Sequence, residues 1–516
     1  MNMKNHCTDM CFVSTHAGPV MGYHFKDVYT FKGIPYAKAK RFHLPEKPQP
    51  WTEPYPALVY REISPVHMTK VGIAKFVDFT GSDLVENEEC QFLNVWTKSI
   101  DKTAGKPVIV WLHGGGFDSG ASNELAVYDG NNICDEGDIV FVSLNHRLNV
   151  LGYLDLSNYG EEYRYSGNAG MADIIMALEW VQDNISEFGG DPSNVTIAGQ
   201  SGGGGKCWTL MGMPAARGLF NKAVILSGWP VGIPQAEARD KTAAILDKLH
   251  INAGNIHDIE TVPFYDLGSA AVECEFHAYP VIDGEYYPQM TIHEGNVSDL
   301  AKDIPTIITT TMGEMRSTLQ GCLVLGYEEN HACEWDDETV LMKLRNKFGD
   351  AADAMIPAFR QAYPYHDIRD LLYTMKRNND HALAKAGQNG APVYQGIFAK
   401  NIPVYGGVTP WHTGGDVPYI LRNADKIPYI IAGDEDAMLR YQDMTSQMLI
   451  SFAKDGQPQA DDTKWPPFTV EEGKTLVMDE QFYIQPFHDR KLMELWPDIK
   501  PSFAFRGKII PAALFS

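Results

Sequence analysis

Val195-Thr196-Ile197-Ala198-Gly199-Gln200-Ser201-Gly202-Gly203-Gly204-Gly205-Lys206 is a β-branched run that breaks, at Gly199, into a serine set among glycines. A strand that turns sharply into a helix leaves the residue at its apex strained, and small residues are needed two before and two after it. Gly199 and Gly203 stand in those places, so the stretch reads as a nucleophile elbow with the Ser201 hydroxyl at the carboxyl edge of a sheet. The competing reading is a phosphate-cradling loop ending in Gly205-Lys206. That loop needs four residues between its first glycine and the Gly-Lys pair, and then Ser or Thr. Here Gln200 falls where the first glycine belongs and Cys207 follows the lysine, so the match fails at both ends.

The surroundings of the elbow point to alternating strands and helices. Upstream, Lys106-Pro107-Val108-Ile109-Val110-Trp111-Leu112 and Ile139 to Leu144 are nearly continuous apolar runs, as in strands covered on both faces. Between Gly170 and Phe188, Met171, Ile174, Ile175, Leu178, Val181 and Ile185 recur at helical spacing until Gly189-Gly190-Asp191-Pro192 stops the run. Downstream, Ala223 to Leu226, Asp303 to Thr311, Val393 to Phe398 and Lys474 to Met478 read as further strands. Ala236 to Leu249 reads as an exposed helix, and Met444 to Lys454 as the last one. This alternation predicts an α/β fold: a large, mostly parallel sheet with helices on both faces. The first 50 or so residues read as small antiparallel strands followed by a Pro-rich segment. The charged, Gly-poor pattern from about 320 to 390 reads as a helical insertion in a single domain spanning 1–516.

The chain has 66 acidic and 43 basic residues, a net charge of −23, which argues against nucleic acid or anionic membrane as partner. No apolar run of about 18 residues occurs and Met1 to Thr8 has no apolar core, so a cytoplasmic protein without a membrane span is expected. Eight thinly spread cysteines suit free thiols rather than a disulfide frame or a metal site, and no metal or other cofactor is expected.

A serine hydroxyl needs an imidazole to take its proton and a carboxylate to orient that imidazole. In sheets of this kind the partners follow in the order serine, acid, histidine, on loops after strands. Glu314, beyond Thr311, and His412, beyond Phe398, suit that order; Asp283 and Asp416 rival the acid, and His331 and His366 the base. His113-Gly114-Gly115-Gly116-Phe117, directly after a buried strand, would bare backbone N–H groups to a developing oxyanion.

Taken with these stretches, the chain resembles the type-B carboxylesterases, the branch of the α/β-hydrolases that includes bacterial para-nitrobenzyl esterases and the cholinesterases. The resemblance runs through Phe31 to Ala37, Glu89-Cys90 with Leu93 to Trp96, His113 to Phe117, Gly167 to Met171, Phe188 to Pro192, Gly199-Gln200-Ser201, Pro280 to Gly284 and Trp465 to Phe468. It implies Ser201 as nucleophile, His412 as general base and then acid, and Glu314, nine residues after Pro305, as the orienting acid. It further implies an oxyanion hole from the N–H groups of Gly115, Gly116 and Gly202, with Ser227 hydrogen-bonding near the acid. The expected reaction is hydrolysis of a small-molecule carboxylic ester; amidases and lactone hydrolases use the same residues, and non-catalytic adhesion relatives lose the serine. Two departures stand out: Gly202 replaces the usual alanine, and Asp416 follows His412 by four residues where an acidic residue usually follows by three.

Overall fold

The computed structural model describes residues 7–66, 84–314, 334–374, 376, 380–401, 414–497, 504–505 and 508–509. Thirteen strands form its main sheet. They are β1 (Cys7–Ser14), β2 (Pro19–Phe25), β3 (Val28–Pro35), β4 (Tyr55–Pro56), β5 (Phe92–Thr97), β6 (Lys106–Leu112) and β7 (Val140–Leu144). They continue with β8 (Gly190–Gln200), β9 (Lys222–Leu226), β10 (Thr306–Thr311), β11 (Val393–Phe398), β12 (Lys474–Met478) and β13 (Phe482–Pro486). The order is β1-β2-β3-β5-β7-β6-β8-β9-β10-β11-β12-β13, with β4 beside β2. Neighbours from β7 to β12 run parallel. The flanks, β1-β2-β3-β5-β7 on one side and β12-β13 on the other, are antiparallel.

Side-chain alternation divides the central strands between two cores. Val108, Val110, Val140, Val142, Ile197 and Ile225 join the core on one face, with Met171, Ile174, Leu178 and Val181 of the helix Ala169–Asn184. Ile109, Trp111, Phe141, Ala198, Val224 and Leu226 join the other, with Met438, Met448, Leu449 and Phe452 of the helix Glu435–Asp455. β7, β9 and β11 are buried throughout, as strands covered on both faces must be. β1 alternates instead: Cys11 and Val13 point inward while Met10 and Phe12 are exposed.

Several elements differ from the expectations above. The helix expected from Met444 begins at Glu435, because Met438 and Tyr441 are its only large apolar side chains buried before that point, set among Asp436, Arg440, Gln442 and Asp443. β13 was not expected; it is a half-exposed edge strand with no strong apolar pattern. The Gln235–Lys248 helix is not simply exposed, since Ala238, Thr242, Ile245 and Leu246 are buried. Helices Asp337–Phe348 and Ala352–Ala362 carry a cluster of their own, including Leu344, Phe348, Met355 and Phe359, which also packs on Ile397 and Val477 of the sheet. Residues 320–333 of the expected insertion lie outside the described residues. Cys11, Cys90, Cys134, Cys207 and Cys274 are free thiols.

Candidate active site

β8 ends at Gln200 and the helix Gly202–Met211 starts two residues later, leaving Ser201 between them at φ 55°, ψ −121°. A non-glycine residue there is strained and must be held by its surroundings. The Ser201 N–H donates to Leu226 O of β9 at 2.8 Å, and its carbonyl accepts from Gly205 N–H at 2.9 Å. A Cβ on Gly199 would lie 2.6 Å from Gly203 O, and one on Gly203 would strike the Leu112 carbonyl. Both glycines are therefore required by the close approach of strand and helix.

The loop after β6 folds over this elbow. A Cβ on Gly114 would lie 3.8 Å from Ser201 Cβ, and one on Gly202 would collide with Gly116 O and N and lie 2.5 Å from Gly116 Cα. Alanine at 202 therefore cannot be accommodated without moving the loop, which accounts for the glycine. Gly115 and Gly116 sit at φ 88° and 66°, in the left-handed region that favours glycine.

Every carbonyl of this loop has a donor. The Lys206 ammonium donates to His113 O and Gly116 O, both at 2.9 Å. His113 Nδ1 lies 2.8 Å from Gly114 O, so that nitrogen carries the ring proton. Gly115 O accepts from Ser119 N–H and Ser119 Oγ, both at 3.1 Å. His113 stacks on His146, with ring centroids 5.1 Å apart, and both rings are buried. Burial, and then the nearby charge of Lys206, push both histidines far below their usual pKa, so they are neutral. Burial also pushes Lys206 down to about 7, against the opposing charge of Glu124.

On the acid side, Glu314 is buried just past β10, and its Oε1 accepts from Ser227 Oγ at 2.7 Å and from Thr311 N–H at 2.6 Å. Ser227, at φ 50°, is tied by its own N–H to Thr309 O at 2.9 Å. Asp416 is wholly buried; desolvation first, and then the charge of Glu314, push its carboxyl up to about 7. His412 lies outside the described residues. The chain re-enters beside the elbow: a Cβ on Gly414 would lie 3.8 Å from Oε1 of Gln200, the residue before Ser201.

The rival candidates are placed otherwise. Asp283 caps its own turn, accepting from Glu285 N–H at 2.9 Å and Tyr287 N–H at 3.0 Å, and takes Asn168 Nδ2 at 3.2 Å. His366 is buried between Asp370, 2.8 Å from Nδ1, and Asp479, 3.3 Å from Nε2. His331 lies outside the described residues. Among the described residues no group of three or more His, Cys, Asp or Glu is placed to hold a metal ion, and no helix is long and apolar enough to cross a membrane.

The sequence does not signal the role of Lys206. A lone lysine after four glycines carries no mark of carbonyl partners that lie 93 and 90 residues away along the chain.

Comparison with known proteins gives the family and the fold. The carboxylesterase family matches residues 9–496. The para-nitrobenzyl esterase of Bacillus subtilis (strain 168) is 31% identical over 493 residues, covering 92% of this chain and 96% of the esterase. A phenmedipham hydrolase of Pseudarthrobacter oxydans is 28% identical, covering 90% and 94%. Among solved structures, an esterase from anaerobic Clostridium hathewayi, described as able to hydrolyse aliphatic aromatic polyesters, superposes with a TM-score of 0.84 at 32% identity, over 95% of this chain and 98% of that one. A family match over nearly the whole chain, a para-nitrobenzyl esterase relative of 31% identity and an esterase of the same fold lead to one conclusion: the chain belongs to the carboxylesterase family and has its α/β-hydrolase fold.

Proposed function

We propose that Ser201, His412 and Glu314 carry the ester hydrolysis of this chain, with the N–H groups of Gly115, Gly116 and Gly202 as the oxyanion hole and Ser227 steadying Glu314. The observation that carries this reading is the strained Ser201 packed beneath a glycine loop whose carbonyls are all engaged elsewhere. Ser201 Oγ bonds to the ester carbonyl carbon as its proton passes to His412, and the carbonyl oxygen takes up negative charge among the glycine N–H groups. The C–O bond to the alcohol then breaks, and His412 returns the proton to the departing oxygen. Water attacks the acyl-enzyme by the same route, giving its proton to His412 and releasing the acid and the free serine. Glu314, held by Ser227 and the Thr311 N–H, orients the imidazole and stabilises the imidazolium. The catalytic machinery lies in one α/β-hydrolase domain, and the helices from Asp337 onward form an insertion at its edge.

The test compares wild type with Ser201→Ala on para-nitrophenyl esters of graded acyl length, a phenyl carbamate of the phenmedipham type and an aliphatic aromatic polyester. Loss of the serine is expected to lower kcat by roughly a millionfold on any substrate the wild type turns over. Equal rates from the two proteins would overturn the assignment. An anilide and a lactone in the same panel separate ester from amide and lactone preference.

A further inference from the structure

Gly202 to Gly205 have no side chains, so Lys206 is the first side chain after the nucleophile. It is completely buried, and its ammonium donates to the carbonyls of His113 and Gly116, at the two ends of the glycine loop. A cation is costly to bury, and packing alone would be better served by an apolar chain of similar length. Its presence therefore calls for a role that only a donor can fill.

We propose that Lys206 is a positioning residue that clamps the His113–Phe117 loop to the elbow helix and so holds the oxyanion-hole N–H groups on target. The proposal rests on the reading of Gly115 and Gly116 as oxyanion donors. In a trans peptide unit the C=O and the next residue's N–H point in opposite directions, so anchoring a carbonyl aims the following N–H. The carbonyls of Gly114 and Gly115, anchored by His113 Nδ1 and by Ser119, aim the N–H groups of Gly115 and Gly116. Lys206 anchors the carbonyls on either side, at His113 and Gly116, closing a run of four fixed peptide planes. Three consecutive glycines would otherwise have more backbone freedom than any other tripeptide, and a loop with the N–H groups turned inward would relax. Because Lys206 and Ser201 share one strand–helix turn, the nucleophile and the oxyanion donors are held in a single frame. An uncharged amine keeps two N–H groups, so the clamp holds in either protonation state.

The experiment is Lys206→Met in the full-length enzyme, with rates expressed per Ser201 titrated by the burst from a para-nitrophenyl ester. The expected result is a fall in kcat of roughly tenfold to a hundredfold with KM nearly unchanged, smaller than the hundred- to thousandfold cost of losing an oxyanion donor outright. Affinity for a phenylboronic acid, which forms a tetrahedral adduct on the serine, should fall by the same factor as kcat/KM, while affinity for the product acid should not move. Loss of packing alone would lower the number of titrated sites and leave these ratios intact. Lys206→Gln, whose amide nitrogen reaches one bond less far, should lie between Met and wild type; should the methionine variant fail to fold, the glutamine variant decides. Unchanged kcat and boronate affinity per titrated site would overturn the clamp while leaving the triad standing. Equal rates from wild type and Ser201→Ala would instead remove the triad and the oxyanion reading on which the clamp depends.

Discussion

Two clusters of buried acidic groups lie past the carboxyl ends of the parallel strands, and among the described residues only one of them encloses a histidine. His366 is enclosed by Asp370 and Asp479, with Asn401 Nδ2 donating to Asp370 at 2.8 Å. Burial, the largest single influence, pulls the imidazole pKa down, but the hydrogen bonds and charges of the two aspartates outweigh it and raise the pKa to about 9. At neutral pH that ring is a cation and cannot accept a proton from a serine. The other grouping turns on Glu314, whose Oε1 is taken up by Ser227 and the Thr311 N–H, with Asp416 buried nearby. Desolvation and the charge of Glu314 push Asp416 up to about 7. Two carboxylates about an enclosed imidazole make it a structural cation. That charge argues against His366, a rival for the base by chain order, in keeping with the proposal of His412.

The contrast breaks first, and most visibly, at Glu314. Glu314→Gln should lower kcat about ten-thousandfold with little change in KM or melting temperature, because an amide in place of the carboxylate favours the wrong tautomer of the base. Steady-state kinetics with circular dichroism melting checks this; a loss below about tenfold would place the acid elsewhere. Gly202→Ala comes next. The added methyl must displace the loop backbone at Gly116, and a fall in kcat of roughly tenfold to a thousandfold is expected, since at least one oxyanion donor shifts. A variant as active as wild type would show that the loop can retreat by the width of a methyl without penalty.

The smallest effect on turnover, and the sharpest on stability, belongs to His366. Its folded pKa of about 9 lies above the ordinary value near 6.5, so its contribution is fully present below about pH 6.5 and is lost as the pH rises through 9. The difference amounts to about 3 kcal/mol. In urea unfolding, the stability difference between wild type and His366→Gln should therefore shrink between about pH 6.5 and 9, with kcat per active site staying within a few-fold. A wild-type-minus-variant difference that does not change with pH, or a loss of turnover comparable to that of Glu314→Gln, would erase the distinction between the two groupings.

How much of the site can be read along the chain depends on how far each contact reaches. Ser201 with Gly199 and Gly203 is legible because the elbow is a local steric problem, settled within five residues. The proposed partners Glu314 and His412 are reached only through the order of strands and by resemblance, since their neighbours do not distinguish them from Asp283 or His366. The central strands are readable because burial on both faces leaves an uninterrupted apolar run, whereas the half-exposed β13 and the polar first half of the Glu435–Asp455 helix leave no comparable mark.

The chain by itself determined the alternation of strands and helices, the elbow and the kind of chemistry an exposed serine among glycines can perform, because sterics and hydrophobic periodicity act between near neighbours. Only the tertiary structure decided why Gly202 cannot be alanine, that His366 is a cation rather than a base, and that Lys206 belongs to the glycine loop. Those outcomes depend on backbone carbonyls, carboxylates and desolvation brought together from distant parts of the chain, and a buried charge takes its properties from the groups that surround it in space.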